Sequence, residues 1–516
     1  MACTVVLALI GLVCAAQTAA WFSGDAIIHL TLAEHVAQGR LFEFNLGEPS
    51  GASSSPLLTL LGGACIRLGG IALYVYALKA AALSAWFLTF GAVLYIARGW
   101  GVARTHALWG AAVATCLPGS VWNWFQGSEN GLFACVVLLQ IAQLTRCALL
   151  LRPAPLSSFV LGLLAAIGMG LRPEGCVCAL TIAIAYLDLV RTLKTRARAV
   201  LALLFLVPLL SLGLAPYALA HAATGQWFSD SAYSRVMMAR RQSFALHLGP
   251  LWLYPRVLLR FAAYAPAVAL AVLGRPRLKS RSQVGIVQRA AFALLIVGVL
   301  GYTCLGGAAH TARYLIWLFA LVGLFASTGI ARLRAYYGRS PQLLALASVW
   351  LCVVSIGELV ARERSQGERA SGAALIAAPA QRKNATDELL MRACSGGCCA
   401  HDRKPEFAIS RVEERFFVDD RVVIRSLDGV AAGAYGKPVR YLPNGCPIID
   451  DFFDDQHIVA FLEAADTSPF FGCRYEGRTA AMNAVWSGTG PAPAGFRFGE
   501  EPEPMLLRVC DHAASQ

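Results

Sequence analysis

Residues 2–29 read ACTVVLALIGLVCAAQTAAWFSGDAIIH, an apolar run from Ala2 to Trp21 that is followed at once by a polar segment containing Asp25 and His29. An apolar run of about 20 residues is long enough to cross the hydrocarbon core of a bilayer as a helix. Asp25 is therefore predicted to lie where a first membrane span leaves the bilayer. A single acidic residue after a helix is usually a solvated cap, so its role depends on what the rest of the chain places on the same side.

The composition is that of an integral membrane protein. The 516 residues are 57% hydrophobic and only 15% charged, whereas soluble domains carry about 25% charged residues. About eleven apolar runs have the length of a spanning helix, which predicts an all-α polytopic membrane protein. The segment from Pro56 to Leu68 is shorter and rich in Gly, and we predict that it is an interfacial helix. The runs lie near 3–21, 73–97, 106–123, 131–151, 156–170, 174–190, 199–221, 254–273, 290–307, 313–331 and 342–360.

The net charge of +13 is unevenly distributed along the chain. Up to Ala361 there are 26 Lys and Arg against 9 Asp and Glu, but from Arg362 onward there are 18 against 22. The positive-inside rule assigns the basic loops to the cytoplasm, so the N-terminus is predicted inside and the C-terminal segment outside. This pattern indicates membrane topology and not nucleic-acid binding. The basic loops contain Arg98/Arg104, Arg146/Arg152, Arg191/Lys194/Arg196/Arg198, Arg275/Arg277/Lys279/Arg281 and Arg332/Arg334/Arg339.

The same pattern divides the chain into a transmembrane domain over 1–361, a polar linker over 362–404 and a small extracytoplasmic domain over 405–516. Short apolar runs between turn residues predict an α/β or mixed fold for this last domain, with one short helix from His457 to Ala465. Its cysteines would lie in an oxidising compartment, which favours disulfides over a metal site. The first run might instead be a cleaved signal peptide ending in Ala16-Gln-Thr-Ala-Ala20, but Asp25 is outside in either case.

Each predicted outward-facing loop carries a polar cluster. Ionisable groups at membrane depth are costly and usually line a cavity or a pathway, although basic residues at span ends also snorkel to the interface. A carboxylate can accept the proton of an attacking hydroxyl, and guanidinium groups bind phosphate in a bidentate manner. The candidate residues, in loop order, are Asp25 and His29, then Glu129, then Arg172 and Glu174, then Asp230 and Arg235, then His310 and Arg313.

The sequence contains no Walker loop, Rossmann glycine pattern, HExxH or GxSxG motif. An activated nucleotide sugar would also lack a supply outside the membrane. A sugar carried on a lipid is the natural alternative. The sequence requires no metal and no other cofactor, and the use of a divalent metal stays open.

The clusters resemble those of the GT-C superfamily of polytopic glycosyltransferases, and most closely the terminal arabinofuranosyltransferases of the mycobacterial AftB type. The likeness covers roughly residues 1–330. The sequence departs from the family pattern at Gly24, Ser229-Asp230 and Arg235, where the family has Asp, Pro-Asn and Lys. The matching stretches are Gly24-Asp25-Ala26-Ile27-Ile28, Asn45-Leu46-Gly47-Glu48, Gly51-Ala-Ser-Ser-Ser-Pro-Leu57, Gly127-Ser128-Glu129-Asn130, Arg172-Pro-Glu-Gly175, Thr224 to Arg235, and Arg313-Tyr314.

The resemblance implies a multispanning, inverting glycosyltransferase of the bacterial cytoplasmic membrane. It would transfer a sugar, first of all arabinofuranose, from a polyprenyl phosphate to a hydroxyl of a glycan or glycoprotein outside the membrane. Asp25 would act as the general base. The phosphate would be bound by Arg172, Arg235 and Arg313, with substrate hydroxyls bound or oriented by His29, Glu129, Glu174, Asp230 and His310.

Two other classes of protein stay open at this point. A transporter or flippase of a lipid-linked sugar would share the spans and the membrane-depth charges, but it usually has internal repeats, and the sequence shows none. A non-catalytic membrane scaffold with a partner-binding tail would tolerate loss of the outward carboxylates and arginines.

Overall fold

The computed structural model describes residues 2–150, 153–227, 229, 255–277, 282–305, 315–338, 340–363, 369–394, 406–409, 416, 419–426, 458–464, 483–486 and 505–509. Helices dominate this part of the chain. They are α1 (Ala2–Thr18), α2 (Gly24–Ala37), α3 (Pro56–Gly99), α4 (Arg104–Cys116), α5 (Pro118–Trp124), α6 (Glu129–Leu149), α7 (Pro155–Leu171), α8 (Gly175–Val190), α9 (Thr195–Thr224), α10 (Pro255–Leu273), α11 (Gln283–Leu305), α12 (Ile316–Tyr337), α13 (Ser340–Glu363) and α14 (Gly372–Cys394).

Each predicted apolar run falls on one or two of these helices, so the all-α polytopic architecture is confirmed. By length and composition, five described helices can cross a membrane, while α1, α7 and α8 are apolar but shorter. The number of eleven spans stays a prediction. The spanning stretches are Pro56–Gly99, Glu129–Leu149, Thr195–Thr224, Gln283–Tyr302 and Ile316–Tyr336.

Two helix boundaries show how Gly and Pro shape the membrane helices. The predicted interfacial helix and the following span form the single element α3, which is broken at Gly69 and Gly70, where Gly70 has φ 72°. Glycine adopts positive φ without steric cost. The predicted run 106–123 is instead two helices, because Pro118 has no N–H and disfavours a helical residue before it. Leu117 is accordingly extended, with φ −68° and ψ 134°.

The chain forms two compact units. The first comprises Met1–Ala19, Ala77–Ala218 and Ala245–Ser365. In it, α10 and α12 cross with backbones in close approach: a side chain at Gly274 would collide with the Phe325 carbonyl, and one at Gly329 with the Leu270 carbonyl. Small residues permit this kind of helix contact in membranes, and the contact brings the end of α10 against α12.

The second unit comprises Ala20–Tyr76, Leu219–Phe244 and Gln366–Gln516. Its strands are β1 (Trp21–Ser23), β2 (Glu43–Asn45), β3 (Glu48–Pro49), β4 (Arg369–Ser371), β5 (Glu406–Ile409), β6 (Val423–Ser426), β7 (Ile458–Ala464), β8 (Asn483–Trp486) and β9 (Met505–Val509). β1 pairs antiparallel with β4, and β2 with β3. The others form a mixed sheet of order β6-β5-β7-β9-β8, in which β5 is parallel to β6 and β7.

The prediction of a helix from His457 to Ala465 is wrong, because Ile458–Ala464 is strand β7. This strand pairs on one side with β5 and on the other with β9, and such pairing outweighs local helix propensity. Within the predicted linker over 362–404, the chain forms β4 and the helix α14. The limits of the three predicted domains stay predictions, and the tail disulfides lie outside the residues whose side chains are described.

Candidate active site

Asp25 lies in the first turn of α2, directly after the short strand β1. Ser23 is the N-cap, with extended backbone at φ −79° and ψ 164°, so the chain turns from strand to helix within one residue. The Asp25 side chain is half-buried. A carboxylate in the first turn interacts favourably with the helix dipole. This position suits both a carboxylate that only stabilises the helix start and a fixed, partly accessible base.

His29 lies one turn after Asp25, and residues four apart share a face of a helix. Its side chain is buried, with its Nδ1 atom 3.3 Å from the hydroxyl of Ser53. Ser53 is also 2.8 Å from the hydroxyl of Thr59. The Ser-rich stretch that the sequence singled out therefore orients His29 through a buried chain of hydroxyl groups.

The following turns of α2 are attached to the C-terminal part of the chain. The Glu34 carboxylate accepts two hydrogen bonds from the Arg382 guanidinium, of 2.8 and 2.6 Å. The same guanidinium donates to the Phe416 carbonyl at 2.6 Å and lies 4.5 Å from the centre of the Phe416 ring. This bidentate pair joins α2 to α14, a contact that no sequence pattern predicts.

The Asn45-Leu-Gly-Glu48 stretch is the turn of the β2–β3 hairpin. Asn45 donates to the Glu48 carboxylate at 3.0 Å, and the Gly47 amide donates to the Glu43 carboxylate at 2.9 Å. Gly47 has φ 78°, which L-residues rarely adopt. His35 Nδ1 lies 2.7 Å from the Glu43 carbonyl, which attaches this hairpin to α2.

A second cluster lies in the first unit and is centred on Arg172, at the turn between α7 and α8. Its guanidinium donates to Glu129 at 2.9 Å, to the Asn130 side chain, and to both oxygens of Glu174 at 3.1 and 2.7 Å. Arg172 and Glu129 are almost completely buried. Three predicted site residues from two distant stretches of sequence are thus brought together.

Glu174 is the most accessible member of this cluster, with 29% of its side chain exposed. Its carboxylate also accepts a hydrogen bond of 3.1 Å from the Tyr302 hydroxyl, which in turn accepts one of 3.2 Å from the Trp317 indole. Burial alone would raise the pKa of Glu174, but the Arg172 guanidinium outweighs it and holds this pKa below its usual value. The exposed carboxylate edge beside Tyr302 can accept hydrogen bonds from a polyhydroxylated ligand.

The geometry limits what Arg172 can do. Burial alone would lower its pKa, but Glu174 and Glu129 hold the pKa well above its ordinary value. A guanidinium has five N–H donors, and Arg172 makes four hydrogen bonds to the side chains of Glu129, Asn130 and Glu174. This arrangement favours Arg172 as the residue that orients Glu129 and Glu174.

Lys79 is a half-buried cation in α3 that the sequence analysis did not single out. Its ammonium group donates to the Phe125 carbonyl and lies 3.5 Å from the Thr18 carbonyl. These two residues close the C-terminal ends of α5 and α1, where helix dipoles stabilise positive charge. The sequence feature that could have identified it is a single Lys within the apolar run 73–97.

Asp230, Arg235, His310 and Arg313 lie outside the described residues, so their predicted roles stay predictions. Among the residues that the structure does describe, no group of three or more His, Cys, Asp or Glu side chains is arranged to hold a metal ion.

No family model and no curated protein matches this sequence. The fold is similar to that of the Archaeoglobus fulgidus oligosaccharyltransferase in complex with Zn and sulfate, with TM-score 0.52 and 11% identity over 89% of this chain and 67% of that one. The fold is also similar to that of ArnT from Cupriavidus metallidurans in the apo state, with TM-score 0.50 and 11% identity. That similarity covers 99% of this chain and 98% of ArnT.

A third similar structure is the archaeal oligosaccharyltransferase AglB from Archaeoglobus fulgidus in complex with an inhibitory peptide and a dolichol-phosphate, with TM-score 0.50 and 10% identity over 89% and 68% of the two chains. At these identities the similarity concerns the fold. The chain has a polytopic membrane fold similar to that of these oligosaccharyltransferases and of ArnT.

Proposed function

We propose that this chain is a membrane glycosyltransferase that uses a sugar carried on a polyprenyl phosphate. The observation that supports this most directly is the half-buried carboxylate of Asp25 in the first turn of α2, in a chain with the GT-C fold. One of the similar structures of the Archaeoglobus fulgidus oligosaccharyltransferase contains a dolichol-phosphate, and another is tethered with an acceptor peptide. Both complexes fit a lipid-linked donor and a separate acceptor.

In the proposed reaction the Asp25 carboxylate accepts the proton of an acceptor hydroxyl. The hydroxyl oxygen forms a bond with the anomeric carbon, and the bond from that carbon to the phosphate oxygen breaks. The polyprenyl phosphate leaves with the electron pair, and attack from the opposite face inverts the anomeric configuration. Charge develops on the leaving phosphate, which cationic side chains would stabilise. The sequence candidates are Arg172, Arg235 and Arg313, and the contacts of Arg172 with protein carboxylates favour Arg235 and Arg313 for this role.

The cluster of Glu129, Arg172, Glu174 and Tyr302 is proposed to bind substrate hydroxyls. Its accessible edge is the Glu174 carboxylate, and an ionised carboxylate acts only as an acceptor, so both of its oxygens can accept hydrogen bonds from sugar hydroxyls. The lowered pKa of Glu174 keeps it in that form. Arabinofuranose is the first candidate sugar because of the motif resemblance, with mannose or another hexose as alternatives. The acceptor is proposed to be a glycan or glycoprotein outside a bacterial inner membrane.

The experiment is transfer of label from radiolabelled polyprenyl-phosphate sugars to endogenous or added acceptors in isolated membranes that contain the protein. Arabinofuranosyl and mannosyl donors are compared at equal concentration. We expect label in the acceptor fraction with the wild-type protein and loss of this label with Asp25→Asn. Transfer of the whole lipid-linked sugar across the vesicle membrane, with no new glycosidic product, would instead identify a transporter.

A further inference from the structure

We propose that Arg275, Arg277 and Arg332 form a binding site for the phosphate headgroup of an anionic phospholipid. These residues, called here the arginine cluster, lie where the end of α10 meets α12. The proposal does not depend on the glycosyltransferase activity. Its ligand is a structural lipid and not the sugar donor.

The arginine cluster is held together by short-range contacts. Arg332 donates to the Leu273 carbonyl at 2.8 Å, and Arg277 lies 3.3 Å from the Tyr336 hydroxyl, to which it donates. The close approach of the α10 and α12 backbones at Gly274 and Gly329 holds the end of α10 against α12. The charges of Arg275 and Arg277 both act on Arg332, so the cationic groups are near neighbours.

This positive charge has no acidic partner in the described part of the chain. None of the three arginines forms a salt bridge there. Between Ser231 and Gly357 the sequence has fourteen Lys and Arg and no Asp or Glu, so adjacent segments supply no carboxylate either. The C-terminal end of a helix carries only about half a negative charge. Most of the charge of the cluster is therefore left for an external anion.

The surroundings of the cluster favour a lipid over a free anion. Val272 and Leu273, on the last turn of α10, are 52% and 48% exposed. Tyr336, which contacts Arg277, is 68% exposed, and Tyr is typical of the membrane interface. A phosphate bound by the arginines would lie next to these exposed apolar side chains. This arrangement suits a phospholipid, whose acyl chains could pack along α10. Basic pockets between membrane helices bind such headgroups.

The test uses purified, delipidated full-length protein in detergent, titrated with phosphatidylglycerol and with phosphatidylcholine of the same acyl chains and followed by native mass spectrometry. Arg275→Gln/Arg277→Gln is the principal variant, because both side chains are exposed and the Arg332 contact to Leu273 is kept. The matched control is Arg196→Gln/Arg198→Gln, which removes two exposed cations at the start of α9.

We expect the wild-type protein and the control to retain phosphatidylglycerol in preference to phosphatidylcholine. Each basic residue near an anionic lipid contributes a factor of about five in binding, so the principal variant should lose at least about tenfold in phosphatidylglycerol affinity. Equal losses in both variants, or equal binding of the two lipids, would overturn the proposal. Displacement of the lipid by inorganic phosphate at equal concentration would overturn the assignment to a lipid.

Discussion

The Asp25 carboxylate at the start of α2 can be explained in two ways, and a substitution can distinguish between them. If it is the base, Asp25→Asn preserves its size but cannot accept a proton, and turnover should fall by about 10²–10⁴-fold while donor binding persists. If it only stabilises the first turn of α2 through the helix dipole, Asn should cost about 0.3–1 kcal/mol of stability and leave turnover nearly unchanged. The measurement is the initial rate of label transfer by purified protein at saturating donor. Asp188→Asn, which removes a carboxylate paired with Arg191 near the end of α8, is the control and should keep its rate.

Arg172 is predicted to act by holding two carboxylates. Arg172→Lys keeps a positive charge but loses the planar fork that reaches Glu129 and Glu174 together. We therefore expect a lower kcat and a lower melting temperature with a donor KM within about threefold of wild type, since the guanidinium makes four hydrogen bonds to protein side chains. A donor KM raised tenfold or more, at unchanged thermal stability, would instead indicate direct contact with the donor phosphate.

The Arg172–Glu174 pair also gives a pH prediction. The pKa of Glu174 is lowered in the folded protein, so the pair stabilises the fold above the ordinary carboxyl pKa of about 4.3. That stabilisation is lost as the pH falls through the lowered value. Thermal unfolding of wild-type protein and Glu174→Gln between pH 7 and 3 should therefore show a smaller acid-induced loss in the variant. Parallel curves would contradict the assignment.

At the scale of elements, the C-terminal helix α14 is predicted to support α2. Removing one partner of a mostly buried ion pair typically costs about 3–5 kcal/mol, because the other charge is left without compensation. Arg382→Met should therefore lower turnover and stability together by disturbing the helix that carries Asp25 and His29. The exchanged pair Glu34→Arg/Arg382→Glu should recover part of both.

The control for this pair comes from the same helix. Asp387 on α14 pairs at 2.6 Å with Arg421, and both side chains are about half exposed. Exposed ion pairs contribute about 0–1 kcal/mol, so Arg421→Met should leave turnover nearly unchanged. A loss in Arg421→Met equal to that in Arg382→Met would show a general sensitivity of the C-terminal segment and no specific role of the Glu34 contact.

Sequence patterns predicted the elements better than the contacts between them. Long apolar runs are local signals, and each one falls on one or two helices. The linker prediction missed α14 because its composition is polar and lacks a clear apolar period. The Glu129–Arg172 pair joins residues 43 positions apart, and only helix packing brings them together. Lys79 was missed since a single cation in an apolar run resembles a snorkelling residue.

At the scale of the whole molecule, the distribution of charge along the chain predicts the membrane topology. The two clusters of candidate site residues belong to different compact units, so their common location on the outer side of the membrane is a prediction from the positive-inside rule. It requires the basic loops to alternate strictly with the polar ones. The arginine cluster, which comes from two of those basic loops, is then predicted to face the anionic lipids of the cytoplasmic leaflet.

Reporter fusions test this topology directly. Fusions after Arg198, Arg281 and Arg339 should report a cytoplasmic location, and fusions after Arg369 or at the C-terminus should report the outside. The physical reason is that translocating clustered Lys and Arg is opposed during insertion, so short basic loops stay inside. Changing Arg332, Arg334 and Arg339 to Gln removes the positive charge of one such loop. Fusions placed after Arg339 should then report a mixture of cytoplasmic and outside locations, while fusions after Arg198 stay cytoplasmic. A cytoplasmic C-terminus in the unmodified chain would separate the carboxylates and the arginines onto opposite faces, and the proposed reaction would then have no common site.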